Sequence, residues 1–425
     1  MDDKLNTVPT CMLSEFALHK DQTLCVELLE TLKAAAPLQI AQSKIPRAGT
    51  GLFVINDVDF GQEHFRSRPV VNCVEDGYQH LVCDYCYVYK DSKLSYSGRI
   101  RTAEDTKLEV KACIGCKVFY YCSKILTNCL SIYQAEGSML GTSLDIIASL
   151  INHSCDPNAF VVFEGGELWV RPTRKISAGK EITQCYTDID MDVLIRRSIL
   201  KLEYFFDCRC ARCERQIKSY DSLFPERIEQ VKQSQQQLLQ LTKEAVEEGN
   251  VDIFESKAPA ITTAAFPDGH WPEDLAPWPS SRNSLASIHQ AHGRRLEALK
   301  DALKGQLLLE HRAGDNWVLH LYNLVQHFSH LLMHETICRD TGFSTEAQMW
   351  IVMYGYLHEL RTCARKTFGK ETGYAEAIQS WYDDCVKDGG APEPITRAFV
   401  RRFNQAQAKL LIWAGVEEKR AIALT

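Results

Sequence analysis

The sequence predicts an α+β chain: a β-rich domain split by a zinc-finger-like, cysteine-rich insert, followed by an α-helical C-terminal lobe. Three observations predict it. Between residues 38 and 74, and again between 159 and 185, short apolar runs alternate with glycine and proline turns, the pattern of short strands. Twelve of the seventeen cysteines fall between Cys73 and Cys213, many as Cys-x-x-Cys or Cys-x-Cys pairs, a spacing that presents two thiolates to one ion. Beyond Cys213 the apolar residues recur at helical spacing.

In order along the chain, residues 14–36 read as a helix with Leu24, Leu28, Leu29 and Leu32 on one side, stopped by Pro37. Leu52-Phe53-Val54-Ile55 and Pro69-Val70-Val71 then read as short strands. The insert spans 75–137, with its cysteines between Cys83 and Cys129. Residues 144–150 look helical and lead into Asn152. Residues 159–163, a Gly165-Gly166 turn and residues 167–171 read as a hairpin, and 180–185 as a further strand. In the lobe, the stripes Ile288, Leu296, Leu299, Leu303, Leu307 and Val318, Leu321, Val325, Phe328, Leu332 point to stacked antiparallel helices. Met349, Met353, Tyr356, Leu360, Cys363 and Ile395, Phe399, Phe403, Ala406, Leu410, Trp413 repeat the pattern. Residues 267–279 form a proline-rich connector, and no repeat period is visible. His311, His320, His327, His330 and His334 read as helix-face or core residues rather than metal ligands.

A chain of 425 residues, 45 % hydrophobic and 24 % charged, has an ordinary globular composition and room for two or three domains. The formal charge of -7 argues against direct nucleic-acid binding and mildly suits a basic protein substrate. The first residues carry no basic region followed by an apolar stretch, and no apolar run approaches the roughly eighteen residues of a membrane helix. An intracellular protein of the nucleus or cytoplasm, with no membrane partner, is therefore expected. In that setting paired cysteines favour zinc over disulfides. The scattered Cys11, Cys25, Cys338, Cys363 and Cys385 read as small buried apolar residues.

The densest chemistry lies in Asn152-His153-Ser154-Cys155-Asp156-Pro157-Asn158. It is followed by Gly179-Lys180-Glu181-Ile182, by Cys185-Tyr186-Thr187-Asp188 and by Cys208-Arg209-Cys210-Ala211-Arg212-Cys213. Upstream, Gly49-Thr50-Gly51-Leu52 supplies a Gly-x-Gly turn, weak evidence alone but specific in this order. The ordered set resembles the SET family of S-adenosylmethionine-dependent protein lysine methyltransferases. Cys83, Cys86, Cys113, Cys116 and Cys122 resemble the start of an inserted MYND zinc finger.

That resemblance implies a protein substrate with a target lysine, histones included, and S-adenosylmethionine as cofactor. It places Gly49, Thr50, Gly51, Leu52, Asn152, His153, Tyr186 and Phe206 at the cofactor, with Phe205 competing for the last role. Tyr186 becomes the catalytic tyrosine at the methyl and the amine. Cys155, Cys208, Cys210 and Cys213 give four thiolates, the complement of a closed structural zinc site. The finger departs from its pattern: Leu126 stands where a cysteine is expected. Cys83, Cys86, Cys122 and Cys129 would suffice for one ion and leave Cys113 and Cys116 short of partners. The implied organisation is a helical extension over 1–37, SET parts at 38–74 and 138–206, the insert at 75–137, a post-SET segment at 207–215 and the lobe at 216–425. Twenty-two residues separate Cys129 from Asn152, fewer than such proteins use for a helical segment walling the groove, so a shortened stretch near 130–140 and weakened catalysis are expected. The rival reading is a catalytically weak scaffold recruiting partners through insert and lobe. A zinc hydrolase fits poorly, since four cysteines leave no open position for water.

Overall fold

The computed structural model describes residues 37–46, 48–67, 69, 71–74, 129–133, 139–164, 166–223, 226–267, 270–272, 275–278, 280–309, 314–332, 346–389, 392 and 395–424. The expected helix over 14–36 and the insert cysteines Cys83, Cys86, Cys113, Cys116 and Cys122 lie outside these residues. The chain divides into two compact units, Met1–His153 with Asn158–Gln184, and Ser154–Pro157 with Cys185–Thr425.

The first unit is built of short strands, as the alternating runs predict. β1 (Leu38–Gln42) pairs antiparallel with β2 (Thr50–Val54), from Leu38 opposite Val54 to Gln42 opposite Thr50. β3 (Phe65–Ser67), β9 (Glu167–Pro172) and β8 (Ala159–Glu164) form a sheet in the order β3-β9-β8. The β8–β9 turn closes at Glu164 opposite Glu167, with Gly166 at a φ of +81°, a conformation glycine adopts without steric cost. A second sheet has the order β4 (Val71–Val74), β6 (Met139–Leu144), β5 (Cys129–Tyr133). β7 (Asn152–His153) pairs in parallel with β10 (Thr183–Gln184). Leu52, Val54, Phe65, Ile151, Val170 and Ile182 form the core beneath these strands.

The apolar stretch 144–150, which reads as a helix, divides instead. Leu144 ends β6 and only Ala148–Leu150 makes a 3-10 turn. Its residues are buried on more than one side, and a short buried run has no period that separates strand from helix. Around the stretch expected to be shortened, β5 and β6 pair as a hairpin with Cys129 opposite Leu144.

The second unit is helical. It contains α1 (Val193–Tyr204), α2 (Ala211–Leu223), α3 (Ile228–Glu247), α4 (Val251–Ala265), α5 (Ser280–Ala291), α6 (Arg295–Leu307), α7 (Asp315–Leu332), α8 (Glu346–Thr367), α9 (Gly373–Gly389) and α10 (Arg397–Ala414). The expected stripes are the buried faces: Phe399, Phe403, Ala406 and Leu410 of α10, and Val318, Leu321, Val325 and Phe328 of α7. α8 packs against α7, α9 and α10 and is buried on every side from Ile351 to Leu357, as the middle of a central helix must be. His327 is buried on α7, and desolvation holds its imidazole neutral with a pKa lowered to about 4. No helix among the described residues is long and apolar enough to cross a membrane.

Candidate active site and metal centre

Within the first unit, the Gly49–Leu52 loop and the Asn152-His153 strand are joined through one carboxylate. Asn152 Nδ2 donates to the Thr50 carbonyl at 2.9 Å and to Glu181 Oε1 at 2.8 Å. Ser43 Oγ donates to the same carboxylate at 2.8 and 2.9 Å. Gly49 turns at a φ of +71° while its carbonyl accepts from Ser43 N and Gln42 Nε2, both at 2.8 Å. Gly51 has a different reason to be glycine: a Cβ there would overlap Glu181 and touch Asn152. The two glycines of the motif thus serve a left-handed turn and a close approach.

The other face of the Asn152 run is held by Asn158, whose Nδ2 donates to the Glu181 carbonyl and whose Oδ1 accepts from Thr183 N, each at 2.8 Å. His153 is buried in β7. Glu181 and Asn158 were not expected to matter individually. Only the meeting of Glu181 with Ser43 and Asn152 across the fold shows what its carboxylate does.

In the second unit, Tyr186 packs on Tyr204, the last residue of α1, with ring centroids 4.9 Å apart. Tyr204 carried no signal of its own in the sequence. Phe206 packs on the core of this unit, whereas Phe205, at a φ of 61°, caps α1 with its side chain exposed. Of the two phenylalanines, Phe206 is the packed ring and Phe205 the exposed one.

Cys155, Cys208, Cys210 and Cys213 converge, their sulfurs all within 4.8 Å of one another. Cys155 and Cys208 are 3.9 Å apart, and Cys155, Cys208 and Cys213 are buried. Arg212 locks the assembly: its Nη1 donates to the Cys155 carbonyl at 2.9 Å and to that of Ile189 at 2.8 Å. Hydrogen bonding to Cys185, then to the three cluster partners, together with burial, raises the Cys155 pKa. Cys210 is shifted the other way, chiefly by its contact with Cys155. Four thiols sharing protons at this separation form a donor set that a zinc ion would fit. Cys129 belongs to β5, and its expected companions lie outside the described residues.

Beyond Tyr186 the chain is acidic. Asn316 Nδ2 bridges Asp188 Oδ1 and Asp190 Oδ2, each at 3.2 Å. Burial, and then the charge of Asp188, raise the Asp190 pKa to about 7.

Residues 49–187 match the SET domain family model. The chain therefore carries a stretch similar to the SET domain. The SET domain region is similar to histone-lysine N-methyltransferase SMYD3 of Mus musculus, at 44 % identity over 101 residues, 24 % of each chain. It is 41 % identical over 99 residues to histone-lysine N-methyltransferase ASHR1 of Arabidopsis thaliana, 23 % of this chain and 21 % of that one. SET domain and MYND-type zinc finger protein 6 of Schizosaccharomyces pombe is 34 % identical over 91 residues, 21 % of this chain and 19 % of its own length. The chain thus matches about a quarter or less of the length of these relatives.

Proposed function

We propose that this chain is an S-adenosylmethionine-dependent protein lysine N-methyltransferase. The observation that carries the reading is the Gly49–Leu52 loop braced by Asn152 and Glu181 in a matched SET domain whose chain also holds a Tyr186–Tyr204 ring pair. S-adenosylmethionine, when bound, supplies a methyl group on a sulfonium centre. Gly49, Thr50, Gly51, Leu52, Asn152, His153 and Phe206 are the residues assigned to hold it. The left-handed turn at Gly49, whose backbone carries no side chain, fits that use.

Transfer to an amine is an in-line displacement, so these residues act mainly by alignment and exclusion of water. A lysine amine has an ordinary pKa of about 10.4 and must lose its proton first. The paired aromatic rings of Tyr186 and Tyr204 lower that demand by desolvating the ammonium. The Tyr186 hydroxyl orients the neutral nitrogen. Zinc at Cys155, Cys208, Cys210 and Cys213 is structural in this reading, because a closed four-sulfur site offers no position for water. The substrate is a protein bearing the target lysine, histones among the candidates.

Incubation of the purified chain with labelled S-adenosylmethionine and protein extract tests the reading. Tyr186→Phe should depress methyl transfer by about a hundredfold while cofactor affinity changes little. Equal turnover by the variant would remove Tyr186 from its role.

A further inference from the structure

A charged cleft lies where the end of α8 meets the start of α9. Its volume is about 420 Å³, and Arg361, Arg365, Lys370, Glu376, Gln379 and Asp383 are among the residues that line it. Arg361 and Arg365 stand about one turn apart on α8, and Gln379 and Asp383 about one turn apart on α9, the spacing of side chains that share a helix face. Arg361 Nε donates to Gln379 Oε1 at 2.7 Å, and Arg365 Nη1 donates to the same oxygen at 3.1 Å. The Gln379 amide is held in this sense by its own Nε2, which donates to Asp383 Oδ1 at 2.7 Å. Two guanidinium groups therefore converge on one uncharged acceptor. The Arg361 guanidinium also lies over the Tyr382 ring, 4.4 Å from its centroid, and that ring is fully buried. We propose that this cleft is a binding site for a phosphate monoester, held by Arg361, Arg365 and Lys370.

The donor count and the charge select the ligand. A guanidinium carries five N–H donors, and among the described residues Arg365 uses one of them, on an oxygen without charge. Arg365 and Lys370 are exposed, and neither has a carboxylate partner among the described residues. Arg365 lies in the last turn of α8, where a cation suits the helix dipole, but that accounts for one charge and not for three gathered at one cleft. A carboxylate ligand brings a single charge and two oxygens, and would meet Glu376 and Asp383 on the same walls. A phosphate monoester brings nearly two charges and three acceptor oxygens, which suits two guanidinium forks and an ammonium. Stacking on Tyr382 fixes Arg361 in advance, so less side-chain freedom is lost on binding. Asp383 is already engaged by Gln379, which makes Glu376 the carboxylate that opposes the ligand.

The test uses the full-length chain and a fluorescein-labelled neutral peptide carrying one phosphoserine, with binding read by fluorescence anisotropy at fixed ionic strength. The wild-type chain should bind this peptide at least about tenfold more tightly than the same peptide with glutamate or unmodified serine in that place. Arg365→Gln and Lys370→Gln, at exposed positions and with melting curves like wild type, should each weaken binding several-fold and together by at least about tenfold. Glu376→Gln should tighten it several-fold, because it removes the opposing charge. Competition with blocked O-phosphoserine and with inorganic phosphate separates the sources of the ligand. Displacement near the peptide's own Kd assigns a small phosphate ester, much weaker competition assigns a phosphorylated protein, and the site stands in both cases. The proposal is overturned if the phosphoserine peptide does not bind, if the glutamate peptide binds as tightly, if Arg365→Gln and Lys370→Gln together leave the affinity unchanged, or if Glu376→Gln fails to raise it.

Discussion

At Gly51 the backbone of β2 runs so close to Glu181 and Asn152 that no side chain fits. Glu181 is not free to swing away, because Ser43 and Asn152 both donate to it. Gly51→Ala should therefore destabilise the first unit by about 1–3 kcal/mol, the usual cost of overpacking, and weaken cofactor binding. Thermal unfolding and a cofactor titration check this, and unchanged values in both would mean the carboxylate moves aside. At this scale the sequence was legible where order carried meaning: the glycines of the Gly-x-Gly turn and the four cysteines that converge. Glu181, Asn158 and Tyr204 were not, since each gains its role only from partners distant in the chain. Asp190 is a similar case. Burial and Asp188 raise its pKa to about 7, while Asn316 and Arg212 oppose the shift and Asp315 adds to it; His320 Nε2 lies 4.0 Å away. A carboxyl with a raised folded-state pKa binds its proton more tightly when folded, so its contribution is present below the unfolded value of 3.8 and lost as pH climbs toward 7. Asp190→Asn should flatten the decline of stability between about pH 4 and 7, and melting curves across that range would show it.

Among the elements, α8 illustrates how a local rule yields to packing. Gly355 sits within this helix, where alanine would ordinarily be better by about 1 kcal/mol. The ring of Phe403 from α10 occupies the space a Cβ would need, and that ring is fully buried and packed edge-on to Tyr356 at 5.8 Å. Overpacking costs about 1–3 kcal/mol and so wins. Gly355→Ala should lower the stability of the lobe in a denaturant titration, whereas a gain would mean Phe403 has room to yield. The helices of the lobe were readable because their polar and apolar faces differ, as the stripes on α7 and α10 show. The 144–150 stretch was not, because an apolar run enclosed on several sides carries no face to compare. The pairing of β5 with β6 was equally hidden: strand register depends on a partner, and nothing in residues 129–133 names residues 139–144 as theirs.

For the whole molecule, the four-sulfur cluster is the feature on which most depends, since Cys155, Cys208 and Cys213 belong to the buried core that continues into Tyr220, Val231 and Leu238. Removing zinc should unfold that part of the second unit, because structural zinc supplies of order 10 kcal/mol in small zinc-dependent folds. A chelator titration followed by metal analysis and thermal melting would check it, and a melt unmoved by complete metal loss would assign the cluster no structural role. Cys208→Ser should mimic the chelator.

The sheet β4-β6-β5 has a further consequence. β4 and β5 both run antiparallel to β6 and lie on its two sides, so they are parallel to each other, and residues 75–128 form the crossover between them. Val74 leaves opposite Gly141, and Cys129 returns opposite Leu144, separated by two strand spacings, roughly 10 Å across the sheet. A parallel crossover asks for about a dozen residues, whereas this one has 54. Closing a loop becomes costlier only with the logarithm of its length, so the surplus adds about 1 kcal/mol. The sheet is thus a socket nearly indifferent to the size of what is plugged into it, and the cysteine-rich segment could be exchanged for a short linker while β6 still finds both of its neighbours.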